Sequence, residues 1–303
     1  MRLSDAWKEI LARRSPSAEP SGELDAATRL LGELTAAGVL LQASIKFDGT
    51  LVLQIFGDGP LKLAVVEVTA DLALRSTSKL VGVLPDRPTL QQMVNVNGQG
   101  RCAVTLDPKD KRPGQVPYQG VVSLSAGPGV NTLAQVVERY LHDSEQVDST
   151  LVLAANRDLV LGLLVQRLPQ QGGVMAAAPR GEDQGLEDYR RIALLSASLS
   201  PEEFLTWDVP TLLRRLFSQE PCRWLAPETG EPVPHFACSC SRERVSSMLL
   251  SLGSSEADAI LRERGLIEVG CEFCGRRYHY DAVDAAQIFK PNLDQPPSSE
   301  AVQ

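Results

Sequence analysis

The side chains with the most chemical potential are four cysteines in two tight pairs, C-S-C at Cys238 and Cys240 and C-E-F-C at Cys271 and Cys274. Thiolates suit zinc, which takes four ligands in a tetrahedron, and two paired turns can supply all four. The same thiols can be oxidised to disulfides. The residues therefore allow three chemistries: a metal site, a pair of disulfides, or each in turn, which would be a switch. C-x-x-C is the usual zinc turn, and C-x-C is tighter. Four thiolates on one divalent cation leave a formal charge of about −2. Arg242, Arg244, Arg276 and Arg277 flank the pairs and could offset it. Four unrelated buried thiols would have no reason to fall in two pairs. His235 and His279 lie close enough in sequence to be alternative ligands, but four cysteines already complete the shell, and packed or solvated histidines are the simpler reading. Cys102 falls in an expected strand and reads as a small buried hydrophobe. Cys222, beside Pro221, reads as more exposed. Neither is assigned a function.

Thirty residues separate the pairs. That is room for the elements that must bring them together: a helix over S-R-E-R-V-S-S-M-L-L-S-L-G, a helix over S-S-E-A-D-A-I-L-R-E-R-G and a strand over L-I-E-V-G. A strand over R-R-Y-H-Y-D and a short helix follow. A unit of this size has little core and ordinarily needs a metal or disulfides.

The preceding text has a different texture. After the turn-rich R-R-S-P-S-A-E-P-S-G, Leu24, Ala27, Leu30, Leu31, Leu34 and Val39 fall on one helical face and predict a core-packing helix. From Ile45 short apolar runs alternate with turns, and Asp48-Gly49 and Asp58-Gly59 are dipeptides of the hairpin type. Further strands are expected at R-C-A-V-T-L-D, G-V-V-S-L-S-A, S-T-L-V-L-A-A and L-V-L-G-L-L-V-Q, with Asn156 to Asp158 turning the last two together. A helix over T-L-A-Q-V-V-E-R-Y-L-H-D-S-E-Q lies among them. The glycine-rich stretch 169–185 reads as a loop, and three short helical segments follow. One of them has Ser200 as N-cap, Pro201 at its first position and Glu203 closing a capping box. The expected fold class is α+β, in four parts: an N-terminal antiparallel-sheet domain with helices (1–180), a helical linker (181–232), a small zinc-binding domain (233–290) and a disordered tail (291–303).

With 303 residues, 43% of them hydrophobic and 22% charged, the chain can build a sizeable core. A net charge of −8 argues against general nucleic-acid or acidic-membrane binding. The N-terminal stretch carries Asp5 and Glu9 and lacks the apolar run of a signal peptide. No run reaches the roughly 20 apolar residues of a membrane span. A cytoplasmic location is expected, where thiols stay reduced and cysteine clusters bind metal or do redox chemistry.

The stretches S-I-K-F-D-G-T-L-V-L-Q-I-F-G-D-G-P-L-K-L-A-V-V-E, P-Y-Q-G-V-V-S-L, H-D-S-E-Q-V-D-S-T-L-V-L-A, L-L-R-R-L-F, C-S-C-S-R-E-R-V and I-E-V-G-C-E-F-C-G-R-R-Y-H-Y-D together resemble the heat-shock protein 33 family of redox-regulated holdase chaperones. The resemblance covers roughly residues 22–290. The 169–185 loop and the additional Cys102 and Cys222 depart from the pattern. The resemblance implies one zinc ion on Cys238, Cys240, Cys271 and Cys274 in a reduced, inactive state. It further implies that oxidants such as peroxide convert the pairs to Cys238–Cys240 and Cys271–Cys274 disulfides and release the metal. The zinc domain and linker then unfold, and the exposed apolar surface holds unfolding client proteins without ATP. Homodimerisation on activation is also implied.

Two other classes compete. A zinc-ribbon binding module for nucleic acid or a protein partner would explain the cysteines, but Glu243, Glu263, Glu268 and Glu272 interleave with the arginines and leave no basic stripe. An enzyme is disfavoured. A catalytic zinc keeps an open position that four cysteines close, and no βαβ context, phosphate loop or nucleophile motif accompanies C-x-x-C.

Overall fold

The computed structural model describes residues 1–14, 25–45, 47–125, 130–168, 182–223, 225, 230 and 232–290. Most of the 169–185 loop, the 291–303 tail and Leu24 lie outside the described residues. By contacts the chain divides into two compact units, Met1–Ala237 and Cys238–Gln303.

The first unit runs β1 (Arg2–Leu3), α1 (Asp5–Arg14), α2 (Ala26–Ser44), β2 (Gly49–Phe56), β3 (Leu61–Thr69), β4 (Ala73–Leu80), α3 (Leu90–Val94), β5 (Arg101–Pro108), β6 (Tyr118–Ser123), α4 (Leu133–Glu145), β7 (Ser149–Ala155) and β8 (Val160–Gln166). It continues with α5 (Glu182–Ala197), α6 (Pro201–Thr206), α7 (Val209–Leu216) and β9 (His235–Phe236). One sheet has the order β6-β5-β2-β3-β4-β9, antiparallel except for the β4–β9 pair, and the other has the order β1-β8-β7. The α+β class and the antiparallel pairing follow the sequence expectation.

Helix α2 differs from it. Asp25 caps it, accepting the Thr28 N–H at 2.8 Å, but its apolar surface is not one stripe. Ala27, Leu30, Leu31, Leu34, Ala36, Ala37, Val39 and Leu41 are all buried. A Cβ added at Gly32 would lie 2.6 Å from Ala155 Cβ, and one at Gly38 would lie 2.7 Å from Val66 Cγ1. Since Val66 belongs to one sheet and Ala155 to the other, α2 is sandwiched between the two sheets. A helix that is apolar all round is a buried helix. Asp48-Gly49 does not turn a hairpin. It leads from α2 into β2, and Gly49 is required because a Cβ there would sit against the Asp107 carbonyl. Asp58-Gly59 does lie in the β2–β3 turn.

The β7–β8 hairpin is apolar on both faces by period-two alternation. Leu151, Ala155 and Val160 join the main core around α2. Ala154 and Leu161 face outward and form a second cluster with Leu199, Phe204 and Leu212 of the α5–α7 segment. The linker helices thus cover the three-stranded sheet. Ser200 caps α6 in the expected capping box with Glu203, and the Tyr189 and Thr150 hydroxyls are hydrogen-bonded at 3.0 Å. No helix among the described residues is long and apolar enough to cross a membrane.

The second unit contains α8 (Arg242–Leu252), α9 (Ser254–Arg264), β10 (Ile267–Gly270), β11 (Arg277–Tyr280) and α10 (Ala282–Ile288), the order expected from the sequence. Its buried core is Leu249, Ala257, Ile267, Tyr278 and Tyr280, a small set for a folded unit.

Because the linker cluster is separate from the main core, Phe204→Ala should remove about 3 kcal/mol or more from linker docking. The expected result is rapid proteolysis within α5–α7 while the thermal transition of the N-terminal core stays in place.

Candidate metal centre

Both cysteine turns are held by local hydrogen bonds. In the first, Ser241 caps α8 by accepting the Arg244 N–H at 3.3 Å. The Arg244 guanidinium reaches back to the Ser239 carbonyl at 3.0 Å and donates to its hydroxyl. The loop between Cys238 and Cys240 is therefore stitched to the first turn of the helix, and Cys240 itself packs against the small core. In the second, β10 and β11 form a hairpin whose register pairs Gly270 with Arg277 and Val269 with Tyr278. The Cys271 N–H donates to the Arg276 carbonyl and the Gly275 N–H to the Cys271 carbonyl, both at 2.8 Å. Gly275 takes φ +69°, a left-handed conformation that favours glycine.

Tyr280 ties the two turns together. Its hydroxyl donates to the Arg242 carbonyl at 2.9 Å, and the Arg242 guanidinium lies 4.3 Å from its ring centroid. The result is one cluster in which the ligand atoms of Cys238, Cys240, Cys271 and Cys274 all lie within 4.8 Å of one another. Sulfurs of different turns approach to 3.6 Å for Cys238 and Cys271 and 3.4 Å for Cys240 and Cys274.

The two thiols of the second turn resist ionisation. Burial, with added contributions from neighbouring sulfurs, pushes Cys274 up to about 12. Burial also raises Cys271, against the backbone N–H groups of Cys274 and Phe273, which favour its thiolate. Four thiolates at this spacing need a cation, and the N–H donors suit a metal-bound sulfur. The donor set fits a closed tetrahedral metal ion and offers no open position for substrate.

Of the four flanking arginines, Arg276 carries the electrostatic link to the sulfurs. Tyr278 and then Cys240 and Cys274 hold its guanidinium above the usual range. Arg242 pairs with Asp284 at 2.9 Å and Arg277 with Glu268 at 3.1 Å. Tyr278 is the partner that sequence reading missed. Its hydroxyl donates to Cys240 Sγ at 3.1 Å. The alternation in R-Y-H-Y, which puts Tyr278 and Tyr280 on one face of β11, was the available signal. The metal-competent group consists of cysteines alone among the described residues. His279 pairs with Glu268 at 3.0 Å, and His235 lies on β9 with its ring against the Val233 carbonyl. Cys102 is buried in β5 and pushed up to about 12 by burial, while Cys222 is exposed.

The family model described as "Hsp33 protein" matches residues 1–281. The chain is 40% identical over 290 residues to the 33 kDa chaperonin of Chromobacterium violaceum, covering 95% of this chain and 88% of that one. It is 40% identical over 267 residues to the 33 kDa chaperonin of Methylobacillus flagellatus, covering 88% and 83%. Among solved structures, the crystal structure of a 33 kDa chaperonin from Thermotoga maritima has the same fold, with a TM-score of 0.67, 21% identity and coverage of 93% of this chain and 89% of that one.

Tyr278→Phe keeps the ring and removes one hydrogen bond to sulfur, so metal affinity should fall about 10-fold, measured by competition with a chromophoric chelator. Because the ligands must be deprotonated to bind, affinity in the same assay should weaken as pH falls.

Proposed function

The chain belongs to the Hsp33 family, and from that membership we propose that it is a redox-regulated, ATP-independent holdase chaperone of the cytoplasm. The observation that carries the reading is the cluster of four sulfurs in a unit with so small a core. In the resting state Cys238, Cys240, Cys271 and Cys274 hold one zinc ion, which supplies the positive charge that lets four thiolates share the site. A structural zinc contributes about 10–16 kcal/mol in small peptides, whereas whole domains are stable by about 5–15 kcal/mol. The second unit is therefore folded only while its sulfurs are thiolates.

Oxidation removes the donors. In each pair, Cys238 with Cys240 and Cys271 with Cys274, two thiolates give up two electrons to form one disulfide. One peroxide takes those electrons with two protons and becomes two waters. Such disulfides close very short loops and constrain the unfolded chain little, so they do not replace the lost metal. The second unit unfolds, the α5–α7 segment leaves the outer face of β7 and β8, and Ala154, Leu161 and Phe204 become available to unfolding clients. An apolar patch of several hundred Å² is what a holdase requires. The activated chain associates as a homodimer. A zinc-ribbon module that binds nucleic acid or a protein partner is the alternative, and no specific contact in the site favours it.

Light scattering from a heat-unfolding reporter enzyme tests the reading. Peroxide-treated chain should suppress aggregation, and reduced, zinc-loaded chain should not. Cys102→Ser and Cys222→Ser should leave this difference intact. Failure of both forms, with zinc released from the treated one, would remove the chaperone reading and leave the binding module.

A further inference from the structure

Among the described residues the edge of β4 is covered by β9, by Arg14 and by α1, which packs against both strands. Over Leu72–Leu74 the cover is β9, which pairs in parallel through the His235 N–H to the Leu72 carbonyl at 3.2 Å and the Ala237 N–H to the Leu74 carbonyl at 3.0 Å. At Ser78 it is Arg14, whose guanidinium reaches the hydroxyl at 2.7 Å and the carbonyl at 3.5 Å. Between β9 and Arg14, Ser76 is fully buried, so the stretch of edge that β9 covers is Leu72–Leu74. The Phe236 ring packs partly buried against the main core, with the Arg13 guanidinium 4.7 Å from its centroid. Exposed sheet edges are templates for added strands, and proteins shield them with short strands and cationic side chains. Here both means are present.

The β9 part of this cover is short and badly placed for permanence. Two paired residues, one ring and the flank of α1 hold β9, and the chain passes from it through Ala237 directly into Cys238. Once Cys238 has no partner sulfurs to hold it and the following unit is an unfolded chain, β9 becomes the frayed end of a long flexible segment.

We propose that release of the metal frees β9 and that the uncovered edge of β4, with the slot left by Phe236 beside Arg13, binds an extended, aromatic-containing segment of an unfolding protein by strand addition. The occupant is specified by what β9 shows: a backbone able to donate to the Leu72 and Leu74 carbonyls, and an aromatic ring placed for the Arg13 cation. Main-chain bonds give such a site breadth of sequence, and the aromatic slot gives it register. The proposal rests on the holdase reading and names one of its client-binding surfaces.

The test uses the full chain with a photo-crosslinking benzophenone residue in place of Asp71, exposed beside the β9 position, or, in a second protein, in place of Gln119 on the opposite edge strand β6. The peroxide-treated, zinc-free chain should cross-link a heat-unfolding reporter enzyme from position 71 and not from 119, and the reduced, zinc-loaded chain from neither. Arg13→Ala, checked for folding by circular dichroism, should lower the yield from position 71 several-fold. Client held by the oxidised chain but cross-linked from 119, or from neither position, overturns strand addition at β4 and leaves the holdase reading standing. An oxidised, zinc-free chain that holds no client overturns both.

Discussion

Four thiolates within 4.8 Å of one another are a repulsive arrangement unless a cation sits among them. The second unit is built around that constraint. Its core is two tyrosines, a leucine, an isoleucine and an alanine. Its helices and hairpin are organised so that each cysteine turn is braced from within: Arg244 on Ser239, Tyr280 on the Arg242 carbonyl, Tyr278 on Cys240. These contacts position the sulfurs, but they bury little apolar surface. On the proposed reading, stability in such a unit comes from a bound metal, and whatever converts thiolate to disulfide removes it.

The first unit has the opposite character. Helix α2 is enclosed between two sheets, and the main core runs continuously from Trp7 through the strands to Tyr140. Nothing in that core depends on a cysteine cluster. Between the extremes lies the linker, whose Leu199, Phe204 and Leu212 rest on the outward face of β7 and β8 in a cluster of their own. That cluster is small, and a segment held by so few anchors belongs to the part of a structure that opens locally before the rest. The three clusters thus differ in size, a small one beside the cysteines, a small one under the linker and an extensive one around α2, and the proposed function predicts stability rising in that order.

Much of this was legible in the residues. The order of elements in the second unit followed from its turn and cap residues, and Ser200, Pro201 and Glu203 marked the start of α6. The meeting of the four cysteines was legible because two tight pairs in so small a unit have little reason to stay apart. What escaped was information carried by tertiary contact. The burial of α2 on two sides depends on a second sheet that no local pattern announces. Asp48-Gly49 has the chemistry of a hairpin turn, but its glycine answers to the Asp107 carbonyl on a neighbouring strand. Strand β9 is only two residues long and exists because β4 offers an edge. Tyr278 acts on a sulfur 38 positions away in sequence, which only the folded hairpin reveals.

The central claim is that metal, rather than packing, holds the second unit together while the first stands alone. Hydrogen exchange of the reduced chain, zinc-loaded and then stripped by a chelator, measures this most directly. Amide protection in β10, β11 and α8 should collapse on stripping, while α2, β2 and β3 keep theirs. Survival of protection in the β10–β11 hairpin without metal would contradict it.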